Sequence, residues 1–417
     1  MAVGYLGGSP SIPSLDMRLL RVGPALVLGF VLSSSTLAAQ SAPAPLPPKK
    51  DRSWRMDPRL QLAAEYDDNI YLLPASKTDD PGAPSAADLV SGRYTGMEAS
   101  ADVITSVNAS LGLRGSGMGG RDFTITPRAG YELFARNGER SNATVGLTLE
   151  QQLRRDGRLR LRADYQPGYF SRNYLADAVD ANANGTITPE ERVYARGEYH
   201  GSELQADYRH RLAKSTRTHP FGAWLIVGAG YAARAYDAPF SARDFSGPIA
   251  AARLQFDLAS GMELTTSYDL AMLGSPVTTQ VILLDEPVYG EDLNGNGNST
   301  DLAARALRTV DRSRTEHVIG ESARFGVGKD TDVELSVDYR MRRFSSDEPY
   351  DVANNGRKDH RLQFGADLSH KFSKGVRMFA GASYGSQGLN RRTDLGAEGA
   401  VDDYTKLRAH AGVRLTP

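Results

Sequence analysis

The stretch RLRLRADYQPGYF, Arg158 to Phe170, decides the fold. In an extended chain Leu159, Leu161, Ala163, Tyr165, Pro167 and Tyr169 fall on one face, and Arg158, Arg160, Arg162, Asp164 and Gln166 on the other. A period of two is the mark of a strand with one apolar and one polar side. The same code returns in MELTTSYDLAM (262–272), TDVELSVDYRMR (331–342) and HRLQFGADLSHKF (360–372).

Counting such segments predicts about fourteen strands. They fall near 58–66, 101–114, 122–136, 141–155, 158–172, 198–213, 219–235, 243–258, 262–275, 314–327, 331–345, 358–372, 375–389 and 402–416. Most reach the roughly 9 to 11 residues that cross a bilayer at a tilt. The links alternate in length. Those after even-numbered strands are short and turn-like (GSGMGGR, DG, KSTRTH, SGM, KDT, SKG), whereas 67–100, 173–197, 276–313, 346–357 and 390–401 are longer, with NGER at 137–140 as the short exception. Short turns at one end and long loops at the other are the plan of a transmembrane barrel, and an even strand number puts both ends of the sheet on the short-turn side. The fold class predicted is therefore all-β, an antiparallel transmembrane barrel. A soluble sandwich would also alternate, but its loops need not.

Bulk composition agrees. The chain has 417 residues, 40% of them hydrophobic, with 42 Gly and 19 Tyr. Beyond the first 40 residues no apolar run approaches the roughly 18 of a membrane helix. Lys+Arg (49) and Asp+Glu (50) leave a net charge of −1, so no global field marks the protein for nucleic acid. Without Cys there is no disulfide, thiolate metal site or thiol nucleophile. Residues 1–39 read as a signal peptide, with Met17, Arg18 and Arg21 as its basic start, an apolar run to Leu32, and cleavage after Ala38 or Ala39. The true start could then be Met17. Residues 40–56 form a Pro-rich periplasmic spacer, and 57–417 the barrel.

These strands, the signal peptide and the motif AEYDDNIYLLP (64–74) resemble the outer-membrane β-barrel porins of Gram-negative bacteria, some associated with exopolysaccharide export. The resemblance implies the cell outer membrane as location, its lipid and the barrel assembly machinery as partners, and a small polar solute or polysaccharide as cargo. Such barrels commonly end on an aromatic residue, whereas this sequence ends Leu415-Thr416-Pro417.

If the apolar faces meet lipid, a set of charges points inward: Arg158, Arg160, Arg162, Asp164, Asp207, Arg209, Arg211, Arg253, Asp269, Asp338, Arg340, Arg342 and Arg361. Such charges must pair across strands or line water. One reading is a narrow wet channel whose Arg excess favours anionic solutes. The other is an inert barrel stiffened by cross-strand ion pairs, serving as a structural, adhesive or polysaccharide-binding surface.

The loop DANANGTITPEE (180–191) carries the ligand pattern of an EF-hand-like calcium loop. Asp180, Asn182 and Asn184 supply side-chain oxygens, Thr186 its carbonyl, Thr188 a direct or water-mediated contact and Glu191 a bidentate carboxylate. With two full charges it predicts weak, structural Ca2+ binding, near roughly 10⁻⁴ to 10⁻³ M. A second candidate uses Asp292, Asn294, Asn296, Asn298 and Asp301, but its twelfth position is Ala303. Catalysis is not expected. GASYG (381–385) matches the G-x-S-x-G pattern, yet Ser383 falls within a predicted strand, where the required strand-to-helix turn cannot form. The seven His are scattered, with no paired spacing for zinc. Tyr66 and Tyr71 of YDDNIY are expected in an aromatic girdle at the membrane interface, with Asp67, Asp68 and Asn69 opening the first outer loop.

Overall fold

The computed structural model describes residues 54–72, 92–178, 189–214, 221–258, 261–288, 303–347, 351, 354–390 and 404–416. Fourteen strands close into one antiparallel barrel. They are β1 (Arg55–Asp67), β2 (Asp102–Ser116), β3 (Asp122–Phe134), β4 (Asn142–Arg154), β5 (Gly157–Ala178), β6 (Arg192–Ala213), β7 (Phe221–Tyr236), β8 (Phe245–Leu258), β9 (Glu263–Leu273), β12 (Arg314–Gly326), β13 (Thr331–Phe344), β14 (Lys358–Lys371), β15 (Val376–Asn390) and β16 (Tyr404–Leu415). Two further strands, β10 (Thr278–Val288) and β11 (Ala303–Val310), pair with each other inside the long link between β9 and β12. That hairpin is absent from the sequence reading, which leaves 276–313 as a plain link. The first strand begins at Arg55 rather than near residue 58. Neighbours in sequence are neighbours in the sheet, apart from the step from β9 to β12 and the closing pair β1–β16.

Why the sheet closes follows from its two faces. On β13 the side chains of Leu335 and Tyr339 are exposed, as are those of Phe364 and Leu368 on β14, so the apolar faces are turned out. The alternate positions carry the charges, and burying them against a second sheet would leave many uncompensated. A closed barrel in an apolar medium satisfies both faces and every interior backbone group.

The register fixes the shape. Each upward strand of the barrel, β1, β3, β5, β7, β9, β13 and β15, places one tyrosine on the outer face: Tyr66, Tyr131, Tyr165, Tyr231, Tyr268, Tyr339 and Tyr384. Successive tyrosines face Val103 and Val107 on β2, Ala143 and Val145 on β4, Ser202 and Leu204 on β6, and Pro248 and Ala252 on β8. They then share Ile319 on β12, face Leu362 and Phe364 on β14, and face Leu407 and Ala409 on β16. The steps of four, two, two, four, zero, two and two residues make a total stagger of sixteen. With strands about 4.8 Å apart and about 3.3 Å per residue, that stagger tilts fourteen strands by about 38° and gives a backbone radius of about 14 Å. Steps this even keep the seven phenols level to within about three residues, so they form one ring.

Four outer-face tyrosines bond to a neighbour further along the wall: Tyr165 to His200 (3.2 Å), Tyr268 to His317 (2.8 Å), Tyr339 to His360 (2.6 Å) and Tyr231 to Ser246 (2.9 Å). Toward the short-turn end Trp54 meets Phe123 edge-on, and Phe221 and Phe372 are exposed on the same face. From Phe123 to Tyr131 is eight residues and from Phe221 to Tyr231 ten. At the derived tilt these rise about 21 and 26 Å, close to the roughly 25 Å apolar band of barrels that cross a membrane.

The described ends of the first long connection, 68–72 and 92–101, pack against the barrel instead of standing away from it. Ile70, Tyr71, Tyr94 and Met97 are buried together with Ile104, Phe134 and Phe170 of β2, β3 and β5. Tyr71 is therefore not in the girdle, being only 4% exposed, while Tyr66 is 45% exposed on the outer face. The cause is Asn137, fully buried in the NGER turn. Its Oδ1 accepts from the Tyr71 hydroxyl (3.0 Å) and from the amides of Glu98 (2.8 Å) and Ala99 (3.3 Å). Its Nδ2 donates to Ala99 O (3.0 Å) and Asp102 Oδ2 (2.8 Å).

Candidate functional site

Period-two alternation puts all thirteen predicted lumen residues on the face opposite the tyrosines, where the strands curve toward one another. Several pair at once. Arg158 meets Glu150 at 3.3 Å, Arg160 meets Asp207 at 3.2 Å and Arg253 meets Asp269 at 3.6 Å. Asp164 pairs with Arg128, two strands away on β3. Arg342 shares Glu316 with Arg314, at 3.1 and 2.7 Å. Asp338 lies in register between Gly320 and Gln363.

The remaining arginines are held without a carboxylate partner among the described residues. Arg209 and Arg211 lie 4.2 and 4.1 Å over the ring of Trp224, whose indole N–H donates to Asp257 at 3.0 Å. Arg209 also donates to Gln255 at 3.2 Å. Arg162 has a buried Nε with no partner. Arg340 and Arg361 face each other directly across the β13–β14 ladder, and Arg361 donates to Gln363 at 2.6 Å. Like charges placed opposite repel, so this pair opposes stability. It persists where the two guanidiniums can reach water or an anion.

Three cavities line the wall, of about 330, 260 and 230 Å³, and all three include Gln61 of β1. At roughly 30 Å³ per water each holds several, and their walls offer Asp367, Arg377, His410 and Arg414 in one and Arg59, Asn108, Arg128 and Asp164 in another. Cavities of this size and polarity are suited to hold water.

At the seam that closes the barrel, buried Asp67 binds Lys406 Nζ at 2.7 Å and Arg408 Nε at 3.1 Å. Asp68 Oδ1 accepts the amide of Leu407 at 2.8 Å. So the acidic pair of YDDNIY does not simply open a loop: it ties β1 to β16. Sequence reasoning missed Glu316, Asp67, Lys406 and Trp224 as interior anchors. Glu316 was hidden because RTEHVIGESARFG of β12 alternates poorly, with Glu321 on the outer face and Val318 on the inner.

Both calcium stretches fall mainly outside the described residues: Asp180, Asn182, Asn184, Thr186 and Thr188 in one, and Asp292, Asn294, Asn296, Asn298 and Asp301 in the other. Glu191 is described, in the 3-10 turn Pro189–Glu191 that leads into β6. Among the described residues no three His, Asp or Glu gather as a metal site. Ser383 sits mid-strand in β15, paired with Gly365 and Arg408, so no strand-to-helix turn exists there.

The fold thus defines an antiparallel fourteen-stranded barrel with an apolar exterior and a charged interior. No protein-family model matches the chain, and no curated protein does. Solved structures similar to it include the CymD monoaromatic hydrocarbon channel (10% identity, 87% of this chain and 88% of that one, TM-score 0.39). The outer membrane channel DcaP of Acinetobacter baumannii is similar at 8% identity, over 90% and 100% of the two chains, with a TM-score of 0.40. An anion-selective porin from Comamonas acidovorans aligns at 12% identity over 88% and 100%, with a TM-score of 0.34. At these values the likeness carries nothing further, and the barrel stands on this chain's own strand pairing.

Proposed function

We propose that this protein is an outer-membrane channel that passes small polar solutes by diffusion, with a preference for anions, and is not an enzyme. The observation that supports it is the inverted polarity of the closed barrel: exposed apolar side chains between two aromatic levels outside, and charges around polar cavities inside. A barrel built only for stiffness would pair its inner charges. Here Arg162, Arg340 and Arg361 face inward with no carboxylate partner among the described residues, and such charges lower the energy of an anion in transit. The outer-membrane location, the cleaved signal peptide and delivery by the assembly machinery belong to the same proposal. So does a calcium ion at Asp180–Glu191, which would offset the ordering entropy of the loop between β5 and β6. A role with exopolysaccharide rests on the sequence resemblance alone.

The test is conductance of the purified, folded chain in a planar lipid bilayer with a salt gradient across it. Stepwise currents whose reversal potential lies on the anion side are expected, moving toward zero selectivity in Arg340→Gln/Arg361→Gln. A folded barrel that inserts and carries no current at any voltage overturns the reading and favours the surface-interaction barrel.

A further inference from the structure

Just past the tyrosine ring, at the long-loop end, two cations stand side by side on the outer wall. Arg343 of β13 and Lys358 of β14 are directly opposite one another in the ladder, one same-face step beyond the pair Met341 and His360. Both are exposed. Their chain neighbours fix the face. Arg342 points inward to Glu316 at 3.1 Å, and Arg357 and Asp359, on either side of Lys358, pair with each other at 2.7 Å. Arg343 and Lys358 therefore share the outer face with Tyr339, whose hydroxyl lies 2.6 Å from Nδ1 of His360.

Side chains at directly opposed positions have Cβ atoms about 4.5 to 5.5 Å apart, and like charges there repel. Among the described residues neither cation forms an ion pair, because the nearby acids Glu316 and Asp359 are both engaged on the inner face. The pair is also local. Four residues beyond the ring tyrosine, where β13 has Arg343, the chain has Ala135 just after β3, Ala235 on β7, Met272 on β9 and Gly388 on β15. At the derived tilt four residues rise about 10 Å. Headgroups fill roughly 5 to 8 Å beyond the hydrocarbon core, and long basic side chains bend back toward that layer. In the other direction the same two strands expose Leu362, Phe364, Leu335 and Leu368, an apolar track that leads away from the cations. A soluble anion would use the charges alone, whereas a lipid uses charges and track together.

We propose that Arg343 and Lys358, with His360 at their edge, hold the phosphate group of an anionic lipid whose acyl chains lie along β13 and β14. The guanidinium fork grips two phosphate oxygens and the ammonium adds a point charge. A phenol that donates to Nδ1 of His360 leaves the ring proton on Nε2, a third donor beside them. The site needs a barrel that spans a membrane and does not need conductance. A barrel that binds the lipid but passes no current loses the channel reading alone, and one that conducts without binding loses this site alone.

The experiment uses the full chain folded in a neutral detergent, with phosphatidic acid as the probe and native mass spectrometry to count the lipids retained per barrel. Folding of every variant is checked by the mobility difference between boiled and unboiled samples. One retained phosphatidic acid per barrel is expected, at concentrations where phosphatidylcholine with the same chains is not retained. Arg343→Gln/Lys358→Gln should weaken that retention at least about tenfold, since the charge-assisted bonds of both residues are lost. Arg340→Gln/Arg361→Gln removes two charges from the same two strands on the inner face and should leave retention unchanged. Equal retention of phosphatidylcholine, undiminished binding in Arg343→Gln/Lys358→Gln, or an equal loss in Arg340→Gln/Arg361→Gln overturns the proposal. So does displacement of the lipid by an equal concentration of inorganic phosphate, which would mark a site for free anions. Should the double variant fail to fold, Arg343→Gln and Lys358→Gln are measured singly, and undiminished retention in both overturns it too.

Discussion

The seam between β1 and β16 offers the sharpest test of how this barrel is held shut. Asp67 is 2% exposed and Lys406 5%, at 2.7 Å, whereas Arg408, the second partner at 3.1 Å, is 40% exposed. Asp67→Asn keeps the shape and the bond from the Asn69 amide, which Oδ1 accepts at 3.0 Å, but removes the charge. Arg408 is partly screened by water and retains Glu65 at 3.6 Å, so its loss is small. Among the described residues Lys406 has no second ion pair, so it is left buried without its counter-charge. Breaking a buried pair from one side costs about 3 to 5 kcal/mol, and the bond to Asn69 that survives puts this site near about 3. Lys406→Met with Asp67→Asn removes both members, and the double variant should recover more than about 1.5 kcal/mol relative to Asp67→Asn alone. The assay is urea unfolding of the barrel in lipid vesicles, followed by tryptophan emission from Trp54 and Trp224. An Asp67→Asn variant within about 1 kcal/mol of the unmodified barrel, or a double variant less stable than the single one, refutes the reasoning.

Asn137→Ala removes five hydrogen bonds at a fully buried site, and should cost about 2 to 4 kcal/mol and release the packed ends of the first connection, read as a raised single-channel conductance. Glu321, on the outer face between the tyrosine level and Phe325 and bonded to Thr266 at 2.9 Å, places a carboxylate in the apolar band. Glu321→Leu should stabilise the barrel in lipid by about 1 kcal/mol, measured by the same urea titration. If the loop at 180–191 takes calcium, roughly millimolar Ca2+ should slow tryptic cleavage after Arg172 and Arg192, and chelation should restore it.

Strand alternation and the parity of link lengths were enough to give an antiparallel barrel of this strand number, because inward and outward faces impose opposite chemistry at every step of two residues. They were also enough to place Arg158, Arg340 and their fellows on one face. What they could not give is which charges meet. Asp164 pairs with Arg128 two strands away, and Glu316 with arginines on its own strand and the next. Such pairings follow from a stagger of sixteen around the ring, a sum over every neighbouring pair that no single segment carries. The same stagger turns seven tyrosines, scattered from residue 66 to residue 384, into one level ring.

Local sequence misled where a residue's environment comes from another element. Tyr71 looks like Tyr66 in YDDNIY, yet Asn137 draws it inside through a bond that spans 66 positions. Arg172 and Arg243 share no motif and meet over the ring of Tyr174 only because the end of β5 and the turn after β7 come together. The alternation of side chains is a property of each strand and is written in the sequence. Closure, register and the pairing of charges are properties of the ring, and only the tertiary structure decides them.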